Sequence, residues 1–126
     1  MPAKFKSFNG LWRIVHMDEW DEEYLDLVET AHITIDKSGQ GEFVFGAVKG
    51  WLDCRFTERD GLPLVEFSWE GLNEGDNVCG RGWASLQSDG GLEGHLFIHL
   101  SDDSAFVAKP KSPVKPRPRR ARDEEA

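Results

Sequence analysis

The sequence of 126 residues has few of the features that would mark a membrane, secreted or metal-binding protein. Its two cysteines, Cys54 and Cys79, form no Cys-x-x-Cys pair and no metal-ligand spacing with the four histidines. No apolar run approaches the roughly 18 to 20 residues of a transmembrane helix, and no apolar signal-peptide stretch follows the charges at 4 and 6. We therefore predict a cytoplasmic protein with reduced thiols and with no metal site, cofactor or membrane partner.

Basic residues are scarce in most of the chain and concentrated near its end. Residues 1–108 contain 8 Lys and Arg against 20 Asp and Glu, whereas residues 109–126 contain 7 against 3, and the formal net charge is −8. Such an acidic body repels nucleic acid, so we expect no nucleic-acid partner for it. We predict a folded domain at 1–108 and a disordered, Pro-rich basic tail at 109–126. The tail could be solvated, could touch RNA or could fold back on the acidic body.

Short β-rich runs recur about every 8 to 12 residues with Gly or Asp-Gly between them, which is typical of all-β proteins. Eight strands are predicted, near residues 9–17, 31–36, 42–48, 51–59, 62–70, 78–87, 92–100 and 104–109. One short helix, capped by Asp18, is predicted at about 18–29. Its apolar face would comprise Trp20, Tyr24, Leu27 and Val28. The short connections favour an antiparallel eight-stranded up-and-down barrel or meander, with the helix between strands one and two.

Tight turns set the predicted strand registers. Asp60-Gly61 is a strong signal for a two-residue hairpin, which would place Cys54 opposite Phe67. Lys49-Gly50, interpreted in the same way, places Phe45 opposite Cys54. Both hairpins direct one apolar set to a common core: Phe43, Phe45, Ala47, Leu52, Cys54, Phe56, Val65, Phe67 and Trp69.

A third hairpin is predicted at Asp89-Gly90, which would place Trp83 opposite Leu96. In this register Arg81 and Trp83 face the core. Because the loop has room for one more residue, a shift by one position would turn both side chains to the opposite face, and both registers stay open. Nearby, Gly80 and Gly82 indicate a bulge, a tight bend or a close approach of another group.

The first strand opens with Phe8-Asn9-Gly10-Leu11-Trp12, and its Gly-x-Trp resembles the calycin superfamily of lipocalins, fatty-acid-binding proteins and avidins. The resemblance implies a barrel with Trp12 plugging one end, and the predicted helix is similar in position to the lid of fatty-acid-binding proteins. The body also resembles a family of small uncharacterised bacterial proteins. The residues that carry this second resemblance are Phe67–Gly71, Gly80–Ala84, His99 and Asp102-Asp103-Ser104.

An eight-stranded barrel is either filled by side chains or holds one small ligand. We predict a non-enzymatic protein that binds a small, partly apolar or anionic ligand inside the barrel. The predicted ligand-binding residues are Trp12, Trp69, Arg81 and Trp83. In this arrangement the Arg81 guanidinium would receive a carboxylate of the ligand, whereas in the opposite register it would lie on the outer surface in an ion pair.

Apolar residues on the predicted outer faces indicate an alternative function. Val44, Val48 and Trp51 lie opposite the core set, where a barrel in water should be polar. The first strand is apolar on both faces, with Trp12 and Ile14 on one side and Leu11, Val15 and Met17 on the other. Such an excess marks either the docking site of the helix or a subunit interface of a homo-oligomer. The chain would then be a protein-interaction or regulatory module that acts through its acidic surface, this apolar patch or the basic tail.

No catalytic constellation stands out, so we do not predict an enzyme and assign no catalytic residue. His95 and His99 lie about 13 Å apart along a strand, which is too far for one metal ion. Asp102-Asp103-Ser104 follows His99, but no Gly-x-Ser-x-Gly elbow accompanies these residues. A hydrolase that uses His99 with a nearby carboxylate remains a third hypothesis.

Overall fold

A computed structural model of the protein describes residues 8–110. The elements are β1 (Gly10–Met17), α1 (Glu22–Leu25), β2 (His32–Ile35), β3 (Gln40–Phe45), β4 (Val48–Arg59), β5 (Leu62–Asn73), β6 (Asp76–Leu86), β7 (Leu92–Ile98) and β8 (Asp103–Pro110). Consecutive strands pair antiparallel, and β8 pairs with β1, so the sheet closes into a barrel. The predicted all-β, eight-stranded up-and-down barrel with one short helix is confirmed.

The helix is a single turn and does not extend over the predicted 18–29. Asp21 caps it in place of Asp18, because the Asp21 carboxylate accepts a hydrogen bond from the backbone N–H of Tyr24 at 2.9 Å. Asp18 is engaged outside the helix, with 2.9 Å between its Oδ1 and Nε2 of His16. The helix therefore begins later than the sequence predicted.

The apolar face of this region also differs from the prediction. Trp20 and Tyr24 pack against the core, and the Trp20 ring centroid lies 4.9 Å from that of Phe45. Leu27 and Val28 lie beyond the helical turn and are 63% and 67% exposed. The residues of the helical region thus close one end of the barrel with aromatic rings, and the two aliphatic side chains take no part in that packing.

The hairpin at Asp60-Gly61 has the predicted register. Cys54 pairs with Phe67 and Asp53 pairs with Ser68, as the two-residue turn requires. Both turn residues have positive φ, 54° at Asp60 and 81° at Gly61, which is the geometry that matches the twist of the flanking strands. The pairing of β4 with β5 is therefore the one that the two-residue turn predicted.

The predicted turn at Lys49-Gly50 is wrong. The chain turns at Gly46-Ala47, so Phe45 pairs with Val48 rather than with Cys54. Gly46 adopts a φ of +55°, which glycine tolerates without strain. Gly50 lies within β4, where a Cβ atom would come within 2.5 Å of the Phe43 ring. Its missing side chain makes room for an aromatic ring and does not mark a turn.

Most of the predicted core set nevertheless faces inward. The true register differs from the predicted one by an even number of positions, and side chains on a strand alternate between two faces. The buried members are Phe43, Phe45, Leu52, Cys54, Val65, Phe67 and Trp69. Ala47 lies in the turn, and Phe56 is half-buried against the core.

The register predicted for β6 and β7 is wrong by one position. Trp83 pairs with His95 and not with Leu96, because the loop extends over Gln87–Gly91. Within this loop the backbone N–H of Gln87 donates to the carbonyl of Gly91 at 2.8 Å. The shift turns Arg81 and Trp83 to the outer face of the barrel, so the predicted inward orientation of both is incorrect.

A β-bulge in β1 explains why Met17 is apolar although it lies on the predicted outer face. The register of β1 against β8 shifts between Ile14 and His16. As a result Trp12, Ile14 and Met17 are all buried in the core, although simple alternation would send Met17 outward. The bulge therefore assigns Met17 to the core, whereas Leu11, on the same predicted face, is 41% exposed.

The predicted boundary of the tail differs slightly from the strand boundary. β8 extends through Lys109 to Pro110, so the first two residues of the predicted tail belong to the barrel. Residues 111–126, on which the rest of that prediction falls, lie outside the described part of the chain. Among residues 8–110, no helix has the length and apolar character needed to cross a bilayer.

Candidate functional site

The interior of the barrel is filled by apolar side chains. Its cavity measures about 10 Å³, which is close to the minimum that a single water molecule occupies. The lining residues are Ile14, Met17, Ile33, Phe43, Phe45, Leu52, Phe67, Leu96 and Phe106. Within residues 8–110 this cavity is too small to admit an organic ligand, so the geometry does not form the binding site predicted there.

Trp12 and Trp69, two of the predicted ligand-binding residues, belong to the core. They are 5% and 3% exposed, respectively. Nε1 of Trp12 donates to the carbonyl of Phe8 at 2.8 Å, and Nε1 of Trp69 donates to the carbonyl of Phe97 at 3.3 Å. Each indole thus buries its ring and satisfies its N–H with a backbone carbonyl, which is a structural role.

Arg81 and Trp83, the other two predicted ligand-binding residues, lie together on the outer face of β6. The Cζ atom of Arg81 is 4.5 Å from the ring centroid of Phe97, its direct neighbour on β7. The Cζ atom of Arg59 is 5.2 Å from the Trp83 ring centroid. These two cation–π contacts border a surface groove of about 450 Å³, which we call the outer groove. Its lining residues are Asp53, Arg55, Glu66, Phe67, Ser68, Arg81, Gly82, Trp83 and Phe97.

In the sequence Gly80-Arg81-Gly82-Trp83, side chains alternate between the two faces of β6, so the glycines lie on the inner face and the two large side chains on the outer face. A Cβ atom on Gly80 would lie 1.9 Å from the carbonyl oxygen of Phe97, and one on Gly82 would lie 2.5 Å from the Phe67 ring. The inner side of β6 is therefore occupied by groups from the neighbouring strands. The two large side chains of this stretch point outward, and the close approach predicted at the glycines is confirmed.

Charged residues of both signs surround Arg81. One row across the outer face consists of Asp53, Ser68, Arg81, Phe97 and Asp103. Both carboxylates of this row are engaged by other groups, since Asp53 pairs with Arg55 at 2.5 Å and Asp103 lies 2.5 Å from Nε2 of His95. Arg81 itself forms no ion pair within the described range of 8–110.

The contact between His95 and Asp103 was missed from the sequence, which suggested His99 as the partner of a carboxylate. His95 pairs with Ala105 across β7 and β8, and Asp103 lies two positions away on the same face. The contact could have been predicted because the two side chains point to the same face of the sheet, but this follows only once the pairing of β7 with β8 is known. His99 is exposed, and its backbone N–H donates to the carbonyl of Cys79 at 2.8 Å. In the part of the chain that the structure describes, no group of three His, Cys, Asp or Glu residues could hold a metal ion.

The predicted interface residues are separated by the structure. Val48 faces inward and is buried in the core, which corrects its predicted outer position. Val44 alternates with core residues on β3 yet is only 4% exposed. Trp51 is 47% exposed, with Nζ of Lys49 5.6 Å from its ring centroid. Beside it lies a second groove of about 670 Å³, lined by Trp51, Glu70, Gly71, Leu72, Asn77, Val78 and Cys79.

Two titratable groups have shifted pKa values, and both shifts have structural causes. Burial raises the pKa of the Cys54 thiol to about 12, and the charges of Asp53 and Asp36 act in the same direction. Hydrogen bonds lower the pKa of Asp36, chiefly one from the Ser38 hydroxyl at 2.6 Å and one from the backbone N–H of Gln40 at 3.1 Å. Both cysteines are free thiols, with Cys79 exposed.

A comparison with known proteins does not assign the chain to a family. No protein-family model matches the sequence, and no curated protein matches it. The closed barrel is consistent with the calycin-like fold that the Gly10-Leu11-Trp12 motif implied.

Proposed function

We propose that this protein is a non-enzymatic, calycin-like β-barrel that binds a small, partly apolar anionic ligand in the outer groove and not inside the barrel. The carrying observation is that the Arg81 guanidinium lies over the Phe97 ring, 4.5 Å from its centroid, without an ion-pair partner among residues 8–110. A guanidinium that stacks on an aromatic face keeps its in-plane N–H donors directed outward. Such a fork can receive a carboxylate, sulfonate or phosphate.

The apolar part of the ligand has its own contact surface in the same groove. The rings of Trp83 and Phe97 are only half-buried, so part of each ring remains exposed in the groove that Arg81 also lines. The groove volume of about 450 Å³ falls within the range of roughly 300 to 1,000 Å³ that is usual for small-molecule sites. An aromatic or branched aliphatic acid fits this combination of an anion receptor with ring faces.

The remaining groups of the groove supply recognition chemistry. Ser68, opposite Arg81, offers a hydroxyl, and Gly82 brings the β6 backbone close to the groove. Asp103 holds the ring of His95 beside Phe97, where it supports the aromatic surface at a centroid distance of 4.6 Å. We include a cytoplasmic location in the proposal, which the free thiols of Cys54 and Cys79 support.

The proposal is tested with an anionic fluorescent probe, 8-anilinonaphthalene-1-sulfonate, and a neutral analogue, N-phenyl-1-naphthylamine. We expect Arg81→Gln to weaken binding of the anionic probe about tenfold or more, since a charge-assisted hydrogen bond contributes roughly 1.5 to 3 kcal/mol. Binding of the neutral probe should not change with Arg81→Gln, whereas Trp83→Ala should weaken both probes. Arg13→Gln is the matched control, because Arg13 is also exposed but lies on β1 beside Asp26.

The location of the probe is measured by nuclear magnetic resonance. Chemical-shift changes on adding the sulfonate should centre on β5, β6 and β7. Equal losses of affinity in Arg81→Gln and Arg13→Gln, or shifts centred on the buried indoles of Trp12 and Trp69, would overturn the proposal.

A second candidate function is a protein-interaction module, and a specific observation favours it. Trp51 is 47% exposed and Leu72 is 39% exposed, and both line the second groove. An exposed tryptophan beside an apolar groove is typical of interface anchors. If this face joins two copies of the chain, Trp51→Ala should convert a dimer to a monomer in sedimentation velocity. A wild-type protein that sediments as a monomer at high concentration would exclude this candidate for the homo-oligomer.

A further inference from the structure

The outer groove presents an unpaired cation beside an unpaired carboxylate. Arg81 lies opposite Ser68 on β5, and Glu66 lies two positions along β5 on the same face. Neither Arg81 nor Glu66 forms an ion pair within residues 8–110, and both line the groove. A partner that carries both signs of charge within a few residues would therefore match this surface better than a simple anion.

The chain itself contains such a segment outside the described residues. Residues 119–125 are Arg-Arg-Ala-Arg-Asp-Glu-Glu, in which three cations are followed by three carboxylates among seven residues. The cations complement Glu66, and the carboxylates complement the free guanidinium fork of Arg81.

The segment can reach the groove from its own barrel. β8 ends at Pro110, and its other end, Asp103, pairs with Phe97 of the groove. The return path along β8 is about 23 Å, at roughly 3.3 Å per strand residue. Twelve residues separate Pro110 from Asp123 in the sequence, and the reach of a chain of that length is about 37 Å at roughly 3.1 Å per residue. The connection is therefore long enough for contact within one molecule.

We propose that residues 119–125 occupy the outer groove of their own chain, with Asp123–Glu125 on Arg81 and the preceding arginines near Glu66. The segment acts as an internal competitor for the anionic ligand. This inference depends on the proposed function in that the groove must accept anions. An external ligand must displace a tethered segment whose effective concentration is in the millimolar range, so the tail sets the ligand concentration at which the protein responds.

The competition is measured with 8-anilinonaphthalene-1-sulfonate on the full chain. The variant Asp123→Asn/Glu124→Gln/Glu125→Gln should bind this probe about fivefold more tightly than the wild type, because the internal competitor is removed. The variant Glu19→Gln/Glu22→Gln/Glu23→Gln is the matched control, since it removes three exposed carboxylates elsewhere and changes the net charge equally. Equal gains in both variants would overturn the inference, because they would report only a general charge effect.

Direct contact is measured independently of the probe. A nitroxide is attached to Ala121→Cys in a full-length Cys79→Ser background, and Cys54 is protected by burial. Amide signals of β5, β6 and β7 should broaden at about 0.1 M salt and recover at about 1 M, where the screening length falls from about 10 Å to about 3 Å. Arg81→Gln combined with Glu66→Gln should abolish the broadening at low salt.

Each alternative outcome has a distinct signature. Broadening centred on residues 18–29 would place the tail on a different acidic surface, and broadening between separately labelled chains in a mixture would place it on a second molecule; either result overturns the inference. Arg81-dependent probe binding without broadening overturns the inference alone. Broadening of β5 to β7 without Arg81-dependent probe binding overturns the proposed ligand function and leaves the contact of the tail with the groove in place.

Discussion

The aromatic residues inside the barrel and those on its outer face are held by different interactions. Trp69 lies against Gly80 of β6 and Gly50 of β4, and its N–H donates to a backbone carbonyl. Trp83 and Phe97 are half-buried on the outer face of the barrel, and each lies against an arginine. The inner ring is explained by packing and the outer rings are not. This difference is the reason for assigning the proposed function to the outer rings.

The largest expected effect is a difference in the free energy of unfolding between an inner and an outer tryptophan variant. Trp69→Ala should lower the free energy of unfolding by about 3 to 5 kcal/mol, because it leaves a large cavity in a filled core. Trp83→Ala should lower it by only about 1 kcal/mol, because the half-buried Trp83 ring lies on the outer face and leaves no cavity in the core. Urea denaturation of both variants checks this prediction. Similar losses in the two would remove the distinction between a structural and a functional aromatic set.

A smaller effect is expected from adding a single carbon to the inner side of β6. Gly80→Ala should cost about 1 to 3 kcal/mol, since its Cβ atom would meet the carbonyl of Phe97 at 1.9 Å and the strands must separate. Arg81→Ala, the neighbouring change on the outer side, should be nearly neutral for stability. Thermal unfolding followed by circular dichroism compares the two, and a neutral Gly80→Ala would show that the wall is not closely packed.

The two cysteines also differ in position, since Cys54 is buried in the core and Cys79 is exposed. The pKa of Cys54 is raised to about 12, so at pH 8 only about one thiol in 10⁴ is ionised, and iodoacetamide should alkylate Cys79 alone. Mass spectrometry of the peptides measures both rates. Alkylation of native Cys54 as fast as of Cys79 would contradict the buried position.

The same thiol makes the stability depend on pH in the alkaline range. In the unfolded chain Cys54 ionises near its ordinary pKa of 9.0, whereas in the fold it ionises near 12. The free energy of unfolding should therefore decrease as the pH rises from about 9 towards 12, because the unfolded state loses its proton first. Cys54→Ala should lack this contribution, as urea titrations at several pH values can show.

The strand registers show how far the sequence could be interpreted. Asp60-Gly61 predicted its hairpin correctly, because a two-residue turn leaves one pairing for the flanking strands. Lys49-Gly50 predicted a turn that does not exist, because Gly50 lies within β4 and its missing side chain leaves room for the Phe43 ring. A glycine marks either a special backbone angle or a close approach, and the choice depends on groups that are distant in the sequence.

At the candidate site, a one-residue shift in the pairing of β6 with β7 was enough to make the predicted orientation wrong. Arg81 and Trp83 were singled out from the sequence as facing the core, but the loop at residues 87–91 places them on the outer face of the barrel. Phe97 was not recognised as their partner, because its contact with Arg81 follows from the pairing of β6 with β7. Residue types could therefore be predicted from the sequence, whereas the face they occupy depended on the length of one loop.

The pairing of β1 with β8 has a consequence for how the barrel forms. Trp12 pairs with Pro110, so the last seam joins residues from the two extremes of the described chain. Closing it requires a large loss of chain entropy before any contact is gained, and we expect the other seven seams to assemble first and the ring to fold slowly for its size. The same seam brings Gly10 and Pro110 to one rim of the barrel. A circular permutant that joins these ends and opens the chain at Asp60-Gly61 would keep every strand pair while changing which seam must close last.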